Sequence, residues 1–148
     1  MAGQVKYTFS HVMSSLVELE SKLTEFYREA AKRTHQNELR DTFSSFSEKS
    51  STRRDALERV RRESVVEMAL EPITDLDLQT RSRQIDTVLR DGGMSDLQKA
   101  IALESVVQDV YSETSTKVIY TSADASILLD RLSQESLKRR NSLSTMQR

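Results

Sequence analysis

The chain has 148 residues, three glycines, one proline and no cysteine or tryptophan, and its 22 basic and 23 acidic side chains leave a formal charge of −1. This length fits one domain, residues 1–148, able to bury a core without disulfides or structural metal. Lack of cysteine excludes thiol chemistry and thiolate ligands, and balanced charge excludes a global pull toward nucleic acid or anionic lipid.

Scarce glycine and proline point to long helices with few turns. Residues 1–7 read as a lead-in, after which Thr8 or Ser10 can cap a first helix over about 8–35. Met13, Leu16, Leu23 and Ala30 give it an apolar stripe at steps of three and four, into which Glu20 and Tyr27 also fall. The link at Gln36-Asn37 is too short for anything but an antiparallel return. A second helix is predicted over about 38–70, ending before Pro72, with the inward stripe Leu39, Phe43, Phe46, Ser50, Arg53, Leu57 and Val60.

Pro72 to Gly93 is too long for a hairpin loop. Asp75-Leu76-Asp77-Leu78 reads as extended or irregular, and a short helix over about 82–90 is stopped by Asp91-Gly92-Gly93. This stretch is read as a crossover that starts the next long helix near the end where the first began. Ser95 caps that helix, over about 95–119, whose stripe is Leu97, Ile101, Val107 and Val118. Thr114, Ser115 and Thr116 predict fraying or a short kink near its end. Ser122 or Asp124 opens a last helix over about 123–140, with the stripe Leu129, Leu132, Ser136, Arg139 and Leu143, and Ser144 to Arg148 are expected to be mobile.

Two repeats run through this pattern. Glu20 and Tyr27, seven residues apart and so on one helical face, return 84 residues later as Glu104 and Tyr111. Ser50 and Arg53 return 86 residues later as Ser136 and Arg139, again on the inward stripe. The chain is therefore expected to be all-α, two similar helical hairpins packed as an antiparallel four-helix bundle with a long crossover between the second and third long helices.

With Glu20 through Tyr27 and Glu104 through Tyr111 on the first and third helices, the pattern resembles the ferritin-like superfamily, in particular the small rubrerythrin-like bundles, over about residues 8–143. The resemblance implies a dinuclear iron or manganese site built from one glutamate on each of two helices and Glu-x-x-His on each of the other two. Glu20 and Glu104 match the first kind of ligand. At the second kind the chain has Ser50-x-x-Arg53 and Ser136-x-x-Arg139, and an arginine offers no lone pair to a metal. The histidines, His11 and His35, fall near opposite ends of the first helix.

The expected arrangement is a buried polar network in place of the metal site, with no cofactor. Glu20 and Glu104 face Arg53 and Arg139, while Ser50, Ser136, Tyr27 and Tyr111 satisfy the remaining acceptors. A competing arrangement rotates the helices so that Glu48 and Glu135 join Glu20 and Glu104 around metal, at the expense of turning Phe46 or Leu132 out of the core.

The resulting functional expectation is a non-catalytic, metal-free interaction or assembly protein. Its alternatives are a rubrerythrin-type dimetal oxidoreductase with an altered site and a bundle that binds a small molecule in the vacated centre. Ferritin-like bundles commonly self-associate, so a homodimer or an unidentified protein partner is expected. The apolar run Val65, Val66, Met68, Ala69, Leu70 and Ile73 suits a dimer interface or the underside of the crossover. Arginines 53, 54, 59, 61 and 62 alternate with acidic residues, which describes a solvated helix face and not a nucleic-acid surface. The amino terminus lacks a basic segment followed by an apolar one, and no apolar run approaches the roughly 18 residues a membrane span needs, so a soluble cytoplasmic protein is expected. Arg139-Arg140-Asn141-Ser142 has the form of a basic-directed phosphorylation site, but so short a match is read as a plain serine near the carboxyl end.

Overall fold

The computed structural model describes residues 6–63 and 72–147. Among them are five helices: α1 (Phe9–Arg33), α2 (Asn37–Glu63), α3 (Leu78–Arg90), α4 (Asp96–Val118) and α5 (Ala123–Thr145). The fold is all-α, with hairpins α1–α2 and α4–α5 joined by a crossover that contains the short helix α3.

Four of the five helices, all but α2, begin where a short polar side chain takes an orphan amide. The hydroxyl of Thr8 accepts from the His11 N–H, that of Ser122 from Ala125, and Ser95 forms a full capping box with Gln98. Asp77 caps α3, so that helix starts at Leu78, inside the stretch expected to be irregular. The lead-in is pinned by an antiparallel bridge in which Tyr7 and Ile73 exchange both backbone hydrogen bonds, at 2.9 and 2.7 Å.

α1 packs against α2 and α4, and α2 against α5, so the long helices stand at the corners of a square. Arg33, at the end of α1, bonds Asp96, at the start of α4, through Nε and Nη2 at 3.0 and 3.1 Å. The third long helix thus starts beside the end of the first, not beside its beginning as expected. The reason is the antiparallel first hairpin: α2 returns toward the start of α1, and the crossover travels the length of the bundle before α4 begins.

Two other boundaries differ. α4 runs unbroken to Val118, because its terminal hydroxyls are satisfied without breaking the helix: Thr114 donates to the Val110 carbonyl, and Ser115 and Ser126 each donate to the other's carbonyl, at 2.8 and 2.9 Å. α5 continues to Thr145, beyond the expected stop at 140, because Leu143 extends the buried stripe by one turn and is itself fully buried. The predicted end of the second helix and Val65, Val66, Met68, Ala69 and Leu70 lie outside the described residues. Ile73, from the same run, is buried at the Tyr7 bridge.

The core reproduces the repeat at the level of burial. Leu16, Leu19, Leu23, Phe26 and Tyr27 on α1 are buried, as are their counterparts 84 residues on, Ala100, Leu103, Val107, Val110 and Tyr111. The expected α4 stripe is corrected in its first half: Leu97 and Ile101 are only partly buried, and Ala100 and Leu103 face inward in phase with Glu104 and Tyr111. Each large aliphatic side chain buried in this way contributes roughly 1.5–3 kcal/mol relative to exposure. That apolar column surrounds a polar layer at its middle.

Candidate functional site

Glu20, Ser50, Glu104 and Ser136 are wholly buried, and Arg53 and Arg139 are each only 5% exposed. A charged side chain survives such burial only when other groups replace water around it. Here the replacement is reciprocal between the two hairpins. The Tyr27 hydroxyl donates to Oε2 of Glu104, and the Tyr111 hydroxyl donates to Oε2 of Glu20. Arg53 Nη1 donates to Ser136 Oγ at 3.1 Å, and Arg139 Nη1 donates to Ser50 Oγ at 2.9 Å. Each guanidinium also faces the carboxylate of its own hairpin, with Arg53 Nη1 3.6 Å from Glu20 Oε2 and Arg139 Nη1 3.4 Å from Glu104 Oε2.

All eight residues expected in a polar network therefore meet in one layer. The geometry follows from helix periodicity and antiparallel packing: Glu20 opposes Tyr111 as Tyr27 opposes Glu104, and Arg53 opposes Ser136 as Arg139 opposes Ser50. Within the layer, every hydrogen bond that involves a tyrosine or serine side chain crosses between hairpins, while each ion pair stays within one. Opening the bundle between its halves would break all four crossing contacts at once.

Burial pushes the Glu20 carboxyl above its ordinary value; Arg53, the Tyr111 hydroxyl and Arg139 pull it back, and the Glu104 charge adds to the rise. The Tyr27 and Tyr111 phenols are raised well above the ordinary tyrosine value, first by burial and then by the carboxylates they face, so both stay protonated donors. Burial acts to lower the Arg139 value, but Glu104 and Glu20 outweigh it and the guanidinium is held charged more firmly than in water.

Two features mark the flanks of this layer. Arg139 lies over the Phe46 ring, 4.9 Å from its centroid, within a cluster in which Tyr27 touches Phe43 and Phe46. Ser47 Oγ donates to the Thr24 carbonyl at 3.0 Å, and Ser133 Oγ donates to the Gln108 carbonyl at 3.1 Å. This serine pair obeys the same offsets, 86 and 84, and was missed in the sequence because a serine beside an inward stripe looks like part of a solvated flank. The only signal was its recurrence.

Other candidates do not join the layer. Glu48 is exposed and Glu135 half-buried, whereas Phe46 and Leu132 are buried, so the rotation that would bring Glu48 and Glu135 to Glu20 and Glu104 is overturned by the packing of Phe46 and Leu132. His11 is exposed in the first turn of α1, stacked on Tyr7 with ring centroids 5.3 Å apart, and His35 is exposed in the α1–α2 link. Among the described residues no group of three or more His, Cys, Asp or Glu side chains is placed to hold a metal ion.

No protein-family model matches the chain, and no curated protein sequence matches it either. Among solved structures, it is similar to a Thermotoga maritima protein provisionally assigned as a ferritin-like diiron-carboxylate protein, with a TM-score of 0.75 and 15% identity over 95% of both chains. The chain has the ferritin-like fold.

A ferritin-like dimetal centre needs carboxylates from all four long helices and two imidazoles. The buried layer does not fit that need. The helices that would carry Glu-x-x-His carry serine and arginine, and both glutamates already accept tyrosine hydroxyls and face guanidiniums. What remains is Oε1 of Glu20 and Oε1 of Glu104, which have no hydrogen-bond partner. Two carboxylate oxygens beside two fixed cations are too few anionic donors for two divalent ions.

Proposed function

We propose that this chain is a ferritin-like bundle, related to the small rubrerythrin-like proteins, in which an internal ion-pair layer has taken the structural place of a dimetal centre, and which acts as a non-catalytic interaction or assembly protein. The observation that carries the reading is the position of the two guanidiniums. They sit where metal-ligating residues belong and neutralise the same two carboxylates that metal would neutralise. Direct contacts between Arg53 and Glu20 and between Arg139 and Glu104 count against an open small-molecule chamber at the centre.

An outward role is supported by the tip of the second hairpin. Ile119 is 48% exposed, Tyr120 98% and Ile127 69%, all three close to the α4–α5 turn. The corresponding link of the first hairpin, Thr34 to Gln36, is polar. Clustered exposed apolar side chains mark contact surfaces more often than isolated ones do. A homodimer is the partner state we favour, and no helix among the described residues is long and apolar enough to cross a membrane.

Two measurements on protein purified without chelator test the reading. Elemental analysis is expected to find iron and manganese far below one per chain; stoichiometric metal lost on replacing Glu20 and Glu104 would overturn it in favour of a dimetal oxidoreductase. Light scattering of wild type and of I119S/Y120S is expected to show a self-associated species that the substitutions weaken.

A further inference from the structure

The polar layer is closed toward its centre but not on every side. Arg53 and Arg139 also line a pocket of about 260 Å³ between α2 and α5, together with Phe46, Lys49, Lys138 and, at its edge, Glu135 and Ser142. Four of these side chains are cationic and one is anionic. Arg53 and Arg139 are nearly buried, whereas Lys49, Lys138 and Ser142 are exposed. Neither lysine forms an ion pair with any described residue.

Within this pocket the two arginines differ. Arg139 is hydrogen-bonded to Ser50 and Glu104 and lies against Phe46. Arg53 bonds Ser136 through Nη1 alone, and its Nη2 is buried with no hydrogen-bond partner. An unmet guanidinium N–H in a buried position is among the rarest unsatisfied groups, because a charged donor loses most on leaving water. The Arg53 guanidinium lines the pocket with three further cations, in a space larger than a water molecule needs, and an unmet charged donor there is what an anionic ligand would satisfy.

We propose that this α2–α5 pocket binds a phosphate-class anion, with the Arg53 guanidinium as the inner donor, Lys49 and Lys138 as rim cations and the Ser142 hydroxyl as a rim hydrogen bond. Guanidinium and ammonium donors together match the several acceptor oxygens of a phosphate. Glu135 sharpens the choice of anion. Its carboxylate repels a fully deprotonated oxyanion such as sulfate but can accept from the O–H of a singly protonated phosphate, or of a phosphate monoester held as its monoanion. The phosphate has two sources, a free anion or ester from solution and a phosphate carried on Ser142 itself, which lies on the rim behind Arg139-Arg140-Asn141.

The test is calorimetric titration and thermal unfolding of the full chain with inorganic phosphate at constant ionic strength, with sulfate and chloride as references. Wild type is expected to bind phosphate saturably, more tightly than sulfate, with a rise in Tm. K49Q/K138Q is expected to keep the unliganded Tm, since both lysines are exposed, and to lose about tenfold or more in phosphate affinity. Equal responses to phosphate, sulfate and chloride, or unchanged phosphate binding in K49Q/K138Q, would overturn the proposal. A chain carrying phosphoserine at position 142 separates the sources. Loss of its response to added phosphate supports the site with the tethered group in it, and retention supports the site as one for the free anion.

Discussion

The first and second hairpins place the same four polar residues at the same depth, yet they surround them differently. Arg139, from the second hairpin, rests on the Phe46 ring of the first. By the 86-residue offset the counterpart of Phe46 is Leu132, which offers Arg53 no aromatic face. Arg139 donates through Nη1 to both Ser50 and Glu104, and Arg53 retains a buried, unpartnered Nη2. The repeat therefore sets which groups meet in the interior, while the unrepeated neighbours decide which of them remains available to something outside.

The strongest way to break this comparison is to remove each arginine in turn. Arg53→Met or Arg139→Met leaves a buried glutamate without its counter-charge, and each should lower stability by about 3–5 kcal/mol in denaturant titrations. Arg139→Met should cost about 0.5–2 kcal/mol more than Arg53→Met, because it also forfeits the Phe46 face. Replacing Glu20 and Arg53 together, as E20L/R53M, should cost less than Arg53→Met alone, since no unpaired charge stays behind. If Arg53→Met costs nothing, the ion-pair layer is not holding the two halves in register.

A smaller effect sharpens the symmetric part of the comparison. Ser47→Ala and Ser133→Ala each remove one hydroxyl donor to a carbonyl of the neighbouring helix, at 3.0 and 3.1 Å. Each should lose about 1 kcal/mol, Ser133→Ala at least as much as Ser47→Ala, because Ser133 is buried and Ser47 only partly so. Chemical denaturation of the two variants side by side measures the difference directly. A large inequality would show that the hairpins differ in packing beneath the repeat as well as around it.

The polar layer was legible in the sequence because charge inside an apolar stripe is conspicuous and because Glu20, Tyr27, Ser50 and Arg53 all recur. Periodicity assigns a residue to a face and a depth, but it does not assign a partner across the bundle. The crossing of Tyr27 to Glu104 and of Arg53 to Ser136 therefore needed the antiparallel placement of α1 against α4 and of α2 against α5. The same limitation misplaced the start of α4, since a crossover's length bounds its reach without giving its direction. Ile119, Tyr120 and Ile127 belong to none of the inward stripes read from the sequence; Ile119 and Tyr120 emerge at the surface because α4 stops at Val118, and Ile127 faces outward on α5.

The smallest expected effect concerns protonation, and it separates Glu20 from its surroundings. The folded state raises the Glu20 value above the ordinary 4.5, chiefly through burial, so the folded chain binds this proton more tightly than the unfolded chain. The stability this group contributes is complete below the ordinary glutamate value and is lost as pH rises through the raised one. The surface carboxylate of Glu58 acts in the opposite sense: held below its ordinary value by Arg61, it favours folding above the usual glutamate range. The whole-chain stability profile mixes the two, and the difference profile between wild type and E20Q isolates the first. Through that window the stability of wild type relative to E20Q should fall with increasing pH, whatever the absolute cost of the substitution. A difference profile flat from acid to neutral pH would mean that Glu20 titrates alike in the folded and unfolded chain, and one that rises with pH would mean that Arg53 and Arg139 hold it ionised against the pull of burial.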